Sequence, residues 1–302
     1  MNINRKVKNK IAFVVATKDR PVELRNTLKS LEVQSYKPDQ IIIVDGSAQP
    51  IEDVLKEFST LPINYIRFIP PSAARQRNVG IKAVKPEITL VGFFDDDVEL
   101  EHNSLETMMD FWERATADIG GAAFNMVNHP QIYAYWLKSL PLAQNLGLYS
   151  KDRGVVLPSG FHTMIGCVHE TTFVQWLPTT ATVWRRKIFK NFQFDEWFDG
   201  YSYLEDLDFS YRVSKKYQLS VVAGARYYHY PASSGRVDNY EFGKREIANR
   251  IYFVKKHKEL SLFKCYLALI LRMFISVSLA IREFKVSYVE RAFGNIAGFL
   301  LV

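Results

Sequence analysis

The stretch that most constrains this chain is Phe93-Phe94-Asp95-Asp96-Asp97-Val98-Glu99-Leu100, where an apolar run that begins at Ile88 ends in three consecutive carboxylates. A short apolar run bounded by polar residues reads as a buried strand, so the acids fall at its carboxyl end. In an open α/β sheet that edge is where ligands bind. Two like charges about 4 Å apart repel by roughly 4 kcal/mol at an effective dielectric near 20. A hard divalent cation such as Mg2+ or Mn2+ prefers carboxylate oxygen and relieves that repulsion. The three residues alone fit two readings, a metal site that holds a phosphorylated ligand or an acidic solvated turn.

The segments around them alternate strand and helix. Ile11–Ala16 reads as a buried strand with a polar exit, Thr17-Lys18-Asp19-Arg20-Pro21. Pro21 suits a first helical turn, and Leu24, Leu28 and Leu31 recur at helical spacing up to Gln34. Gln40–Val44 is a second strand ending in Asp45-Gly46-Ser47, followed by a short helix over Val54–Phe58, a strand over Ile63–Ile69 and a helix over Ser72–Ala83. Beyond the acids come a helix over Leu105–Thr116, a strand over Gly120–Val127, an irregular insert from Asn128 to Gln175, a short helix over Val183–Phe189, a helix carrying Glu205 and Asp206, a strand over Leu219–Ala223 and a helix over Tyr240–His257. Such alternation predicts a mostly parallel α/β sheet. No G-x-G-x-x-G or G-x-x-x-x-G-K-[ST] loop is present, so any bound phosphate relies on side chains and metal. Taken alone, Glu205 and Asp206 also suit a helix first turn, where the dipole favours acids. A lone His229 is as ordinary as a packed side chain.

The chain has 302 residues and a formal charge of +7. A basic excess serves nucleic acid, anionic lipid or phosphate-bearing substrates. No nucleic-acid recognition motif accompanies it, and no nucleic-acid partner is expected. Leu260–Ile281 is a long apolar helix interrupted by Lys264 and Arg272, with Arg282 at its end and an apolar tail over Ser287–Val302. A central Arg costs about 2.5–3.5 kcal/mol on insertion scales, against roughly 0.3–0.6 returned by each strong apolar residue. That balance favours a helix lying on a membrane surface or packed on the domain over a spanning one. Cys167 and Cys265 form no metal or redox spacing and suit a reducing compartment. Ile11–Ala16 is too short for a signal-peptide core, so no secretion signal is expected.

In order, VVATKDRP, IIIVDGS, AARQRNVGI, FFDDDVEL, YLEDLDFSYRV and HYP together resemble glycosyltransferase family 2, the inverting nucleotide-sugar enzymes with a GT-A fold. The resemblance covers roughly Lys10 to His257. It implies an α/β GT-A domain over 1–257, with a nucleotide-sugar-binding half at 10–127 and an acceptor-side half at 128–257, ahead of a helical region at 258–302. It also implies that Thr17, Asp19 and Asp45 hold the nucleotide base and ribose, that Arg77 meets the nucleotide, and that Asp95, Asp96 and Asp97 form the family's DXD element. By that resemblance Asp97 is the expected direct ligand of Mn2+ or Mg2+, with Asp95 a further metal candidate, Asp95 and Asp96 hold ribose or sugar hydroxyls, and His229 is a looser match to a further metal ligand. Asp206 is the implied general base, with Glu205 orienting acceptor or donor sugar.

The implied activity moves a sugar from a nucleoside-diphosphate donor to a glycan or lipid-linked acceptor in cell-surface polysaccharide synthesis. The basic amphipathic C-terminal helix adds a peripheral contact with anionic membrane at the cytoplasmic face. Two other readings stay open, a catalytically degenerate nucleotide- or glycan-binding protein and a nucleotidyltransferase. The sequence departs from the family at Leu177-Pro178-Thr179-Thr180-Ala181, where a Gly-containing turn is common. Trp176 and Trp184 are each either a sugar-stacking platform or core.

Overall fold

The structure is a computed structural model that describes residues 9–130, 141–145, 147, 149–232, 234, 237–283 and 286–301. Arg5, Lys6 and Lys8, part of the Asn128–Gln175 insert, part of Ser233–Arg236, Lys285 and Val302 lie outside these residues. The strands form one mixed nine-stranded sheet. β1 (Ile11–Thr17), β2 (Gln40–Asp45), β3 (Ile63–Arg67) and β4 (Leu90–Phe94) pair in parallel in the order β3-β2-β1-β4. Continuous apolar runs suit strands covered on both faces. Even residues of β1 such as Val14 pack with Ala74 and Phe209, and odd residues such as Phe13 pack with Leu24, Leu28, Met108 and Trp112. The second set comes from α1 (Pro21–Glu32) and α4 (Ser104–Arg114). The first comes from α3 (Ala73–Lys82) and from helices later in the chain. Between them, α2 (Glu52–Leu55) leads to β3.

The other half of the sheet is built from the segments that follow the acids. β5 (Val98–Leu100) follows the acids directly, and β6 (Ile119–Met126) follows α4. α5 (Pro141–Asn145) and β7 (Thr172–Val174) belong to the insert. The segment expected as a helix over Val183–Phe189 is instead β8 (Ala181–Arg185), then a 3-10 turn at Arg186–Lys190. Its β-branched Thr182 and Val183 suit a pleated strand, which lies antiparallel between β4 and β6. Trp184 fits there because Gly121 lacks a side chain: a Cβ would lie 2.4 Å from the indole. Trp184 is fully buried and Trp176 is 4% exposed, so both belong to the core. α6 (Glu205–Ser214) precedes β9 (Gln218–His229), which extends well past the predicted Leu219–Ala223. β5 pairs antiparallel with β9 in the register Val98↔His229. That register sets His229 next to Asp97.

α7 (Asn239–Lys256) starts at an Asp238 N-cap, whose side chain accepts from the Glu241 N–H. α8 (Leu262–Glu283) and α9 (Val286–Phe299) follow. Glycines let α9 lie directly on α7. A Cβ on Gly294 would fall 2.0 Å from the Tyr240 carbonyl oxygen, and one on Gly243 would fall 2.3 Å from that of Arg291. In this contact Glu246, 3% exposed, accepts from Arg291 at 2.7 and 3.0 Å and from Asn295 at 3.2 Å. Arg272 of α8 lies 3.6 Å away. α8 buries Cys265, Ala268 and Leu269 and leaves Phe263, Ile270 and Phe274 exposed. Among the described residues no helix is long and apolar enough to cross a membrane.

Candidate functional site

The three acids sit where β4 ends, beside the carboxyl end of β1, and each has a different set of partners. Asp95 Oδ1 accepts from Arg77 Nη2 at 3.0 Å. Asp96 is buried and accepts from the Thr17 hydroxyl at 2.7 Å and from Arg20 Nη1 at 2.9 Å. Asp97 lies 3.0 Å from His229 Nε2 and accepts from the Ala232 N–H at 3.1 Å. Burial pushes the Asp96 carboxyl up to about 6, and the Asp97 charge adds to this against Arg20 and Thr17. Burial would also raise Asp97, but His229, Ala232 and Arg20 outweigh it and hold the carboxyl below its ordinary range. Ligand atoms of Asp95, Asp97 and His229 all lie within 4.8 Å of one another. The two hard carboxylates suit Mn2+ or Mg2+, and the imidazole suits a transition ion such as Mn2+ better than Mg2+.

Arg77 joins this cluster to the second acidic motif. Its guanidinium is buried, with Nη1 2.5 Å from Glu205 Oε1 and Nη2 on Asp95. Glu205 and Asp206 open α6 after a tight turn in which Gly200, Ser202 and Leu204 all have positive φ, 61°, 53° and 77°. A leucine in the left-handed region is strained and persists only when its surroundings hold it. Here the Ala74 N–H bonds the Ser202 hydroxyl at 3.2 Å, Asn249 of α7 bonds the Tyr203 carbonyl at 2.6 Å, and Arg245 bonds the Asp199 carbonyl at 2.7 Å. Glu205 is buried, whereas Asp206 keeps partial exposure. Burial pushes Glu205 up to about 8, reinforced by the Asp206 charge and opposed by Arg77. Burial likewise raises Asp206, with Asp95 adding to the shift and the Leu207 N–H and Arg77 opposing it.

Thr17, Asp96, Asp97 and His229 are thus joined directly or through Arg20, and Asp95 is joined through Arg77 to Glu205, the neighbour of Asp206. Asp19 and Asp45 sit one step away, at the β1 and β2 ends. Asp45 is fully buried and accepts from the Ser47 and Ile51 N–H groups, the Tyr65 hydroxyl and Arg67. Asp19, with φ of 55°, accepts from the Ala48 N–H.

Sequence reasoning missed two supports. Arg20 crosses from Asp96 to the Ser234 carbonyl, at 2.7 Å through Nη2; its place beside the polar strand exit was the available signal. Asp208, two residues past Asp206, is fully buried behind the Glu205-Asp206 pair and faces Arg212 and Lys256 at 2.9 Å and His257 at 3.1 Å. Burial alone would raise Asp208, but His257, Arg212 and Lys256 hold it down at about 2. A lowered acid stabilises the fold above its unfolded value of about 3.9, and the contribution is lost as pH falls through the folded value. Asp208→Asn is therefore expected to lower unfolding free energy by about 3 kcal/mol above pH ~4. In urea titrations that difference should shrink toward pH ~2; a deficit unchanged across this range would rule out the charge as its source.

The Glycosyl transferase family 2 model matches residues 12–168, over half the chain. This chain belongs to glycosyl transferase family 2. No curated protein matches this glycosyltransferase. Solved structures similar to it include S. aureus TarS, at 17% identity over 80% of this chain and 39% of TarS, with a TM-score of 0.53. The mannosyltransferase PcManGT from Pyrobaculum calidifontis, in complex with GDP-Man and Mn2+, is 10% identical over 97% of this chain and 88% of its own, with a TM-score of 0.57. GalNAc-T7 with UDP, GalNAc and Mn2+ is 13% identical over 83% of this chain and 48% of its own, at a TM-score of 0.61. The family 2 member thus spans less than half the length of TarS and of GalNAc-T7. These likenesses show that it has the GT-A glycosyltransferase fold.

Proposed function

We propose that this glycosyltransferase is metal-dependent and inverting, and that it moves a sugar from a nucleoside-diphosphate donor to a hydroxyl of a glycan or lipid-linked oligosaccharide. One observation carries the reading: Arg77 joins a three-ligand cluster, Asp95, Asp97 and His229, to the Glu205-Asp206 pair at the sheet edge. Asp97, Asp95 and His229 would hold Mn2+ or Mg2+, and a cation bound there supplies Lewis-acid neutralisation of diphosphate charge. Thr17, Asp19, Asp45, Arg77 and Asp96 bind the donor's nucleotide and sugar, within a donor half at 10–127. Asp206, the partly exposed member of its pair, takes the acceptor hydroxyl proton as that oxygen bonds to the anomeric carbon. The bond from that carbon to the diphosphate oxygen breaks, its electrons leave with the nucleoside diphosphate, and the configuration inverts. Glu205, anchored by Arg77, orients the sugar, and residues 128–257 form the acceptor side. The reaction belongs to cell-surface polysaccharide synthesis at the cytoplasmic face of the membrane, a location supported by the exposed apolar side chains of α8 and α9.

Thermal melts with nucleoside diphosphates and their sugars, with and without Mn2+, test this reading. A ligand at about one hundred times its Kd adds roughly 2.7 kcal/mol to folded stability. One nucleotide should raise Tm only when the metal is present. Asp97→Ala or His229→Ala should remove most of that metal-dependent rise. No shift with any nucleotide in Mn2+ would overturn the proposal.

A further inference from the structure

The helical pair that closes the chain leaves an unusually apolar surface. Of twenty-one exposed large apolar side chains among the described residues, twelve lie between Phe263 and Leu301. Along α8 they recur at helical spacing as Ile270, Phe274, Val277 and Ile281. Along α9 the stripe is Val289, Phe293 and Ile296, continued by Leu300 just past its end. These stripes share a face, because Val277 and Ile281 line one side of an open groove of about 320 Å³ and Val289, Ala292, Phe293 and Ile296 line the other. Contiguous exposed apolar area of this kind marks a contact site. The opposite side of α9 is pressed onto α7 through Gly294, Gly298 and Asn295, so the apolar face points away from the body of the molecule.

We infer that the α8–α9 face is a two-helix docking surface for an anionic lipid bilayer, lying in the membrane interface with its groove against the acyl region. The occupant follows from charge. Of the cations of α8 and α9, Arg272 and Arg291 are turned to the buried Glu246, whereas Lys264 and Arg282 flank the apolar stripe of α8. Lys258 and Arg282 are exposed, and Lys264 adjoins Phe263. A second copy would bring like charge against like charge, whereas an anionic headgroup layer answers it. Stable surface attachment takes two signals, apolar area and basic charge, and this face offers both. Among the described residues neither helix is long and apolar enough to cross a bilayer, which fits a face that seats the protein on one leaflet. α7 bonds the turn before Glu205 and Asp206 through Asn249 and Arg245 and carries α9 through Glu246. The docking plate is therefore held at a defined orientation to the catalytic turn. The inference rests on the proposed membrane location but not on the transfer chemistry.

The test is co-sedimentation of the full chain with vesicles of phosphatidylcholine alone or of phosphatidylcholine carrying phosphatidylglycerol. The wild type should pellet with the anionic vesicles. The F274E/F293E double variant should bind them at least about tenfold more weakly with an unchanged melting temperature. Should that variant melt early, K264E/R282E, which alters only surface charge, carries the same expectation. No binding to anionic vesicles, equal binding to both vesicle types, or vesicle binding unaffected by the variants would overturn the inference. So would a wild-type dimer in size-exclusion chromatography that the apolar variant abolishes without changing vesicle binding. A protein that pellets with vesicles but is not stabilised by any nucleotide sinks the transfer chemistry alone. A nucleotide-stabilised protein that ignores vesicles sinks the docking surface alone.

Discussion

Asp206→Asn is expected to cut turnover by about 10²–10⁴-fold, the range supplied by a positioned general base. Donor binding should stay close to that of the wild type, because Arg77 engages Glu205 and Asp95 rather than Asp206. Asparagine keeps the shape and can still accept the Leu207 N–H bond, made at 2.7 Å in the native helix, so fold and turn geometry are preserved. The pH profile carries the same information. The proposed base acts when ionised, and burial with Asp95 nearby raises its proton affinity. The kcat/KM of the wild type should therefore climb with pH and flatten above the ordinary carboxylate range, since this ratio reports the free enzyme's essential base. The variant should lack that limb. Initial rates across pH, paired with nucleotide-sugar melts, measure both effects. A loss of donor binding in step with turnover would make Asp206 a structural residue.

The largest stability effect is expected at Arg77. Its side chain is 7% exposed and faces Glu205 and Asp95, themselves 10% and 31% exposed. Replacing it with methionine keeps the volume against Phe194, whose ring centroid lies 5.6 Å from the guanidinium carbon, and removes the cation that contacts both acidic motifs, at Glu205 and at Asp95. Removing one member of a buried ion pair typically costs about 3–5 kcal/mol. The cost should depend on pH with a definite sign. Glu205 already holds its proton up to about 8 in the native fold, against about 4.3 unfolded. Between those values the native state binds more protons, so Glu205 lowers stability as pH rises. Without Arg77 that window extends upward. The gap between Arg77→Met and the wild type, measured by urea denaturation, should be widest above pH ~8 and narrower near pH ~6, where Glu205 is neutral in both. Arg77→Lys keeps the charge but not the planar fork, and should recover only part of the loss. A gap independent of pH would remove Glu205 from this account.

Much of this arrangement was legible because local rules and the tertiary fold agree. The strands β1, β2 and β4 carry the continuous apolar runs Ile11–Ala16, Ile41–Val44 and Leu90–Phe94, covered on both faces, and α1 carries Pro21 with Leu24, Leu28 and Leu31 at one spacing. The three acids read as a strand end because the apolar run stops abruptly. What stayed hidden depends on contacts distant in sequence. Val183 and Trp184 fit a short helix as well as a strand until Gly121 and Gly92 open space beside them. His229 has no local signal of its own beyond a loose family likeness, because its partner lies 132 residues away, brought near by the β5–β9 register. The family likeness gives Arg77 a nucleotide contact, whereas its bridge between Glu205 and Asp95 spans 128 and 18 residues. No local period encodes such a bridge. The left-handed Leu204 breaks a local preference outright, as residues that aim a functional group often do.

The glycine-lined contact between α7 and α9 bears on how the chain can be divided. Glu246 is buried, and its carboxylate relies on Arg291 and Asn295 from beyond residue 286. A shortened polypeptide ending after α7 would expose a backbone surface shaped for another helix and strand that carboxylate without its guanidinium. The helix so weakened is the one that braces the turn before Asp206. Trimming the greasy end to gain solubility would thus loosen the Glu205-Asp206 turn from behind, and a soluble fragment made that way would be a different and softer molecule.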